Sequence, residues 1–207
     1  MGEPWCDPFS DPVANDPIEL ARHWFCVAGG GQFMPQPMTL STADAEGRPS
    51  TRTVMVKDVS ADGFTFFTSY QSRKIRELER NPYASLLAFW ASWAQLRRQI
   101  SVTGKTRKTS AAISDAFFAG RTRHNQIVAW VSEQSSPYVD HAALAAKCAE
   151  FERQYEGRQI SRPPHWGGIV LIPETIEFWL EDKQGLHNRL LFSRQGNGGW
   201  TWTRLSP

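Results

Sequence analysis

The chain has 207 residues, 41% hydrophobic and 12% aromatic, with 23 basic and 21 acidic side chains and a net charge of +2. That length suits one domain with a sizeable core, and so balanced a charge leaves no footprint for nucleic acid or an anionic membrane. No apolar run approaches the roughly 20 residues of a membrane span, and the N-terminal stretch MGEPWCDPFSDP lacks the basic and apolar regions of a secretory signal.

Three widely spaced cysteines, Cys6, Cys26 and Cys148, fit neither a disulfide framework nor zinc-ligand spacing, so reduced thiols in a cytoplasmic protein are expected. The five histidines are scattered, with no His-x-x-x-His pair, and no bound metal is expected. Nine tryptophans and twelve phenylalanines are a heavy aromatic load, suited to a core, a subunit interface or a stacking site for a planar ligand.

In chain order, residues 1–15 read as an irregular arm rich in proline and aspartate, and 16–207 as a single domain. Asp16-Pro17 opens a helix through Leu20, Trp24 and Val27 to the glycines at 29–31. Strands follow over 38–43 and 50–56, and the turn cluster 60–63 leads to a third strand over 64–68. Ser72 stands at the N-cap position of a helix over 73–80, which Asn81-Pro82 stops. Arg73 and Lys74 in its first turn oppose the helix dipole, which either prepares an anion site or leaves a solvated basic turn.

Two further strands are predicted over 84–90 and 96–104, and the close-spaced meander points to an antiparallel barrel or sheet. A short helix over 110–118 is expected to turn Ile113, Phe117 and Phe118 inward, and 119–138 reads as a polar loop with apolar insertions. Helix 140–155 carries a stripe of Leu144, Cys148, Phe151 and Tyr155 for packing against the barrel. The last strands fall at 168–172, 175–181, 190–194 and 200–205, the final pair joined by the turn 196–199.

Nine short strings occur in one order: RTVMVK (52–57), FT (67–68), SRK (72–74), RRQ (97–99), QSS (134–136), PPHWGG (163–168), IEFW (176–179), LHNR (186–189) and RLSP (204–207). Together they resemble the pyridoxine/pyridoxamine 5′-phosphate oxidase family of flavin enzymes, from about residue 16 to the C-terminus. The resemblance implies a mainly β fold with flanking helices, an antiparallel split β-barrel. It also implies FMN as cofactor, molecular oxygen as electron acceptor, and a homodimer with FMN at the interface.

The cofactor positions implied are Arg52, Thr53, Val54, Met55, Val56, Lys57, Phe67, Thr68, Arg73, Lys74, Gln99, Gln134, Ser135, Trp179 and Arg189. Phe67 stands where the family often has tyrosine. The substrate positions implied are Lys57, Phe117, Arg121, Asn125, Gly185 and His187, with Arg121 and His187 as the catalytic, substrate-facing pair. Here the chain departs from the pattern. Phe117 replaces a tyrosine, Asn125 a serine, and Gly185 the arginine of an Arg-Leu-His run. Each missing hydrogen bond to a charged phosphate is worth about 1.5–3 kcal/mol. Changes gathered at the substrate end lead us to expect a planar, reduced (hetero)aromatic small molecule as substrate, as in the phenazine-biosynthesis branch of the family. The alternatives are the usual vitamin B6 phosphate oxidation and a non-enzymatic flavin carrier.

Overall fold

A computed structural model describes Phe9 and residues 16–93, 96–138 and 140–207. Its strands are β1 (Gln36–Ala43), β2 (Pro49–Ser60), β3 (Gly63–Ser69), β4 (Tyr83–Trp93), β5 (Leu96–Lys108), β6 (Trp166–Leu180), β7 (Asn188–Arg194) and β8 (Trp200–Leu205). The helices are α1 (Pro17–Ala28), α2 (Arg73–Arg80), α3 (Ala111–Ala119), α4 (Arg123–Val131) and α5 (His141–Gln154). All strand pairings are antiparallel in the order β3-β2-β1-β4-β5-β6-β7-β8, and a further β3–β6 pairing closes six strands into a barrel. β7 and β8 extend the sheet beyond the closure.

Alternation along the strands fills the barrel. Val56, Phe64, Phe66, Leu86, Ile100, Ile176 and Phe178 point inward and are at most 0–2% exposed. α1 caps this interior. Asp16 accepts a hydrogen bond from the Ile18 amide at 2.8 Å, Pro17 presets the first turn, and Trp24 packs edge-on against Phe178 with centroids 5.1 Å apart. Truncating a core ring of this kind, Phe178→Ala, costs about 3–5 kcal/mol. Of the N-terminal arm, only Phe9 lies within the described residues. It is buried in the same core, and its carbonyl accepts a hydrogen bond from Arg204.

Several expectations need correction. The strands predicted over 168–172 and 175–181 are one continuous strand, β6, because Pro173 sits opposite Gly104 at a register shift rather than in a turn. The segment 119–138 is not all loop: Thr122 caps α4 by accepting from the Asn125 amide, and Ile127 and Ala129 are buried. Ile113 does not face inward; it is 49% exposed, because α3 turns Ser114 and Phe118, one turn apart, toward the sheet.

The stripe on α5 packs chiefly against α4 and meets the barrel only through a second cluster outside its interior. Cys148, Phe151 and Tyr155 join Phe118, Ile127 and Trp166 in a second, smaller core, and no residue of α5 is fully buried. Gly167 and Gly168 let α3 and the preceding loop approach β6 this closely. A Cβ on Gly167 would stand 2.1 Å from the Tyr70 hydroxyl, and one on Gly168 2.5 Å from Thr109 Oγ1.

Candidate active site

The predicted site residues gather in two places. The first lies where β2, β3, α2, α3 and α4 meet. Along β2 the side chains alternate. Val54 and Val56 face the barrel core, whereas Thr53 and Met55 are exposed and Lys57 is half-buried beside the smaller core. Val56 is 0% exposed, so its side chain belongs to the core and not to a ligand surface. Arg52, at the end of the strand, turns to α2, where its Nη2 lies 3.1 Å from Glu77 Oε2. Arg73 Nε lies 2.7 Å from Glu77 Oε1.

Lys74 is the buried cation of this end. Its ammonium donates to Thr68 Oγ1 and Ser72 Oγ, each at 3.1 Å, and to Gln134 Oε1 at 3.2 Å, while Thr68 donates to the same Gln134 oxygen at 2.9 Å. Burial, reinforced by repulsion from Arg52 and partly offset by Glu77, pulls the Lys74 pKa down from 10.5 to about 8. Ser72 makes no side-chain capping bond; its hydroxyl donates to the Ser69 carbonyl at 2.8 Å. Burial pulls the Glu77 carboxyl upward, but hydrogen bonds from Thr42, Ser50, Arg73 and Arg52 outweigh it and hold the pKa at about 2. Ser135, beside Gln134, holds a positive φ of 73°, which marks a constrained turn.

Next to this network stands an aromatic tier. Phe67 stacks flat on Phe117 with centroids 3.8 Å apart and 6° between the planes, and Phe67 also stacks on Trp166 at 5.7 Å. Two cations border the tier: the Lys57 ammonium lies 5.9 Å from the Phe117 centroid, and the Arg121 guanidinium 4.5 Å from that of Trp166. Arg121 Nη2 donates to the backbone carbonyl of Asn125 at 2.9 Å, and its buried Nε has no hydrogen-bond partner among the described residues. Arg121 also lines a cavity of about 200 Å³, together with Phe67, Thr68, Gln134 and Trp166.

The second place is the far end of β6. Gln99, Trp179 and Arg189 lie in one cross-strand row, Gln99 opposite Trp179 and Trp179 opposite Arg189. The His187 ring tilts 51° against Trp179 at 4.8 Å. Its Nδ1 accepts the Asp182 amide at 3.2 Å, so the neutral ring carries its proton on Nε2. Arg189 Nε donates to Glu177 Oε1 at 2.8 Å. Gly185 sits in a turn closed onto the Asp182 carbonyl, with φ +84° and open space around it.

Gly168, opposite Phe67, and Trp179 stand eleven positions apart on β6, about 36 Å of strand. Sequence reasoning missed Glu77, the residue on which the first network converges. Its only local signal is the spacing Arg73-x-x-x-Glu77 on one helix face.

Residues 33–155 match the pyridoxamine 5′-phosphate oxidase family, and residues 166–207 match the pyridoxine 5′-phosphate oxidase C-terminal dimerisation region. The chain belongs to the pyridoxamine 5′-phosphate oxidase family. A pyridoxine/pyridoxamine 5′-phosphate oxidase of Paraburkholderia phymatum is 52% identical over 197 residues, covering 94% of this chain and 91% of that one. Its counterpart in Rubrobacter xylanophilus is 46% identical, with 95% and 89% covered. The crystal structure of PhzG from Burkholderia lata 383, in complex with tetrahydrophenazine-1-carboxylic acid, superposes with TM-score 0.88 at 32% identity, over 99% of this chain and 98% of that one.

As a pyridoxamine 5′-phosphate oxidase family member, the protein is an FMN-dependent oxidase with a split-barrel fold. The dimerisation-region match covers β6 to β8 and supports a homodimer. The polar network suits the phosphate of FMN. Arg52, Arg73 and Lys74 against Glu77 leave a surplus of two positive charges, and a phosphate monoester near pH 7 carries about −1.5 to −2. No helix among the described residues is long and apolar enough to cross a membrane.

Proposed function

We propose that the protein oxidises a planar, reduced heteroaromatic substrate with molecular oxygen as acceptor, in the manner of the phenazine-biosynthesis branch of its family. The carrying observation is the flat stack of Phe117 on Phe67 at 3.8 Å, an apolar surface where the family pattern places a phosphate-binding hydroxyl. Gly185 likewise offers no side chain, and Asn125 is engaged through its backbone by Arg121.

In this reading Arg73, Lys74 and the start of α2 hold the FMN phosphate, with Arg52, Thr68, Gln134 and Ser135 completing that end. The Thr53–Lys57 backbone and Phe67 border the ring system. Gln99, Trp179, Arg189 and His187 come from the second protomer, because about 36 Å of strand separates their row from Gly168, the partner of Phe67. FMN therefore sits at the dimer interface. FMN held there would supply the hydride acceptor, with molecular oxygen as the final electron acceptor.

The chain's own residues orient the substrate and exclude water. His187 presents Nε2–H to the substrate, held in that tautomer by the Asp182 amide. Arg121 holds its guanidinium over Trp166 at the cavity, and its positive charge matches a carboxylate or another anionic group. Lys57 lies between the β2 backbone and the Phe117 ring and adds a second positive charge.

A second reading, oxidation of pyridoxamine 5′-phosphate, is favoured by the retention of Lys57, Arg121 and His187 and by the 52% identical relative that bears that name. Peroxide formation decides between them. We expect kcat/KM for a reduced phenazine carboxylic acid to exceed that for pyridoxamine 5′-phosphate by about tenfold or more, the worth of one or two charge-assisted bonds. The reverse preference would overturn the proposal in favour of the vitamin B6 reaction. Absence of peroxide with either would leave neither standing.

A further inference from the structure

Glu77 is 5% exposed and lies in the middle of the cationic end. Among the described residues it is the one acidic side chain paired with Arg52 and Arg73 in this network. Five donor contacts reach its carboxylate. Oε1 accepts from Arg73 Nε at 2.7 Å and from Ser50 Oγ at 2.9 Å; Oε2 accepts from Ser50 Oγ at 2.7 Å, from Arg52 Nη2 at 3.1 Å, and from Thr42 Oγ1. Thr42 and Ser50 lie on β1 and β2, opposite each other in the register. Glu77 thus ties the guanidinium of a strand residue and that of a helix residue to one rigid sheet.

The arrangement constrains each arginine differently. Arg52 is anchored through both Nη groups, which also donate to Thr42, Ser50 and the Leu40 carbonyl. Arg73 is held only through Nε, and its side chain is 59% exposed, so its two Nη groups remain available to an acceptor at the start of α2. A free arginine at a surface samples many rotamers, and fixing it beforehand removes that entropy from the binding step.

We propose that Glu77 is a positioning residue for the cofactor phosphate, holding Arg52 and Arg73 in the orientation that the phosphate needs. The proposal rests on the FMN-phosphate reading above. It opposes simple electrostatics. A carboxylate beside an anion site repels the anion, so charge alone predicts that Glu77→Gln binds FMN more tightly. Positioning predicts weaker binding, and the two views differ in sign.

The test is FMN and riboflavin affinity of the apoprotein, read by quenching of flavin fluorescence, together with Tm. For Glu77→Gln we expect FMN Kd to rise about tenfold, the worth of one charge-assisted contact. Riboflavin, which lacks the phosphate, should change less than about twofold. In an Arg52→Ala/Arg73→Ala background the same Glu77→Gln change should have no further effect on FMN. Tighter or unchanged FMN binding overturns the proposal. So does an equal loss for riboflavin, or an undiminished loss without the arginines, since a residue that only fastened α2 to the sheet would give those results.

If Glu77→Gln does not fold, Thr42→Val removes one donor at constant shape. It should weaken FMN about two- to fivefold with riboflavin unchanged, and an unaltered FMN-to-riboflavin ratio would overturn the idea as firmly. Arg73→Ala/Lys74→Ala separates the two levels. Loss of FMN there with no effect of Glu77→Gln removes only the role of Glu77. Unchanged FMN affinity in the double variant removes the phosphate assignment itself.

Discussion

The two ends of β6 are built on opposite plans. At the near end Lys74, Thr68, Gln134, Arg52, Arg73 and Glu77 are joined by hydrogen bonds, and the central members are buried. At the far end Gly185 and Leu186 are exposed, His187 is held by a single amide, and the turn around them closes on Asp182 alone. The first is a cradle made before its ligand arrives, in which a buried charge is satisfied mainly by neutral dipoles. The second has few contacts to lose and can change shape at little expense in folding free energy. Departures from the family pattern fall at both ends, at Gly185 and at Phe117 and Asn125 around the aromatic tier, while Arg73 and Lys74 match it.

The strongest way to break this contrast is to damage each end separately. Arg73→Ala/Lys74→Ala should raise the Kd for FMN by about 10- to 100-fold. His187→Ala should leave that Kd within about twofold and lower kcat/KM by roughly 10- to 100-fold. Titration of apoprotein with FMN and steady-state peroxide rates give both numbers. Equal effects of the two changes on FMN affinity would mean that Arg73 and Lys74 hold no more of the cofactor than His187 does.

The pH response sharpens the comparison. In the free protein the Lys74 ammonium loses its proton around pH 8, so above that pH FMN must draw a proton back as it binds. Affinity should hold below about pH 8 and fall above it, approaching tenfold per pH unit for one linked proton. Lys74→Met should flatten the profile. For the empty protein the sign is opposite: with a folded pKa below the unfolded value of 10.5, the contribution of Lys74 to folding stability rises between about pH 8 and 10. Thermal melts with and without FMN should therefore diverge in slope over that window.

The smallest effect is local. Gly185→Ala meets no atom within 4 Å, but it must hold φ +84°, at a cost of about 1 kcal/mol. A Tm lower by a few degrees with unchanged FMN affinity is the expected result. A large loss of FMN would place this turn nearer the cofactor than the geometry allows.

Helices with local punctuation were legible from the sequence. Asp16-Pro17 and Asn81-Pro82 bound α1 and α2 where the structure has them. Features that depend on distant partners were not. Pro173 looks like a turn until Gly104 on β5 is seen to accommodate it. α4 hides because only Ile127 and Ala129 are buried, too few for a visible apolar stripe. Motif strings point to candidate cofactor residues but not to Glu77, whose contacts come from Thr42 and Ser50 of two strands distant in sequence. Nor could the strings show that Trp179 and Gly168, the partner of Phe67, stand eleven positions apart on one strand.

That strand has a consequence for inheritance. If each site takes the near end of one β6 and the far end of its partner's, two differently damaged alleles can repair one another. A chain broken at Lys74 and a chain broken at His187 would each be inactive alone. Paired, they place both lesions in one site and leave the other intact, so a mixed dimer keeps half of its sites.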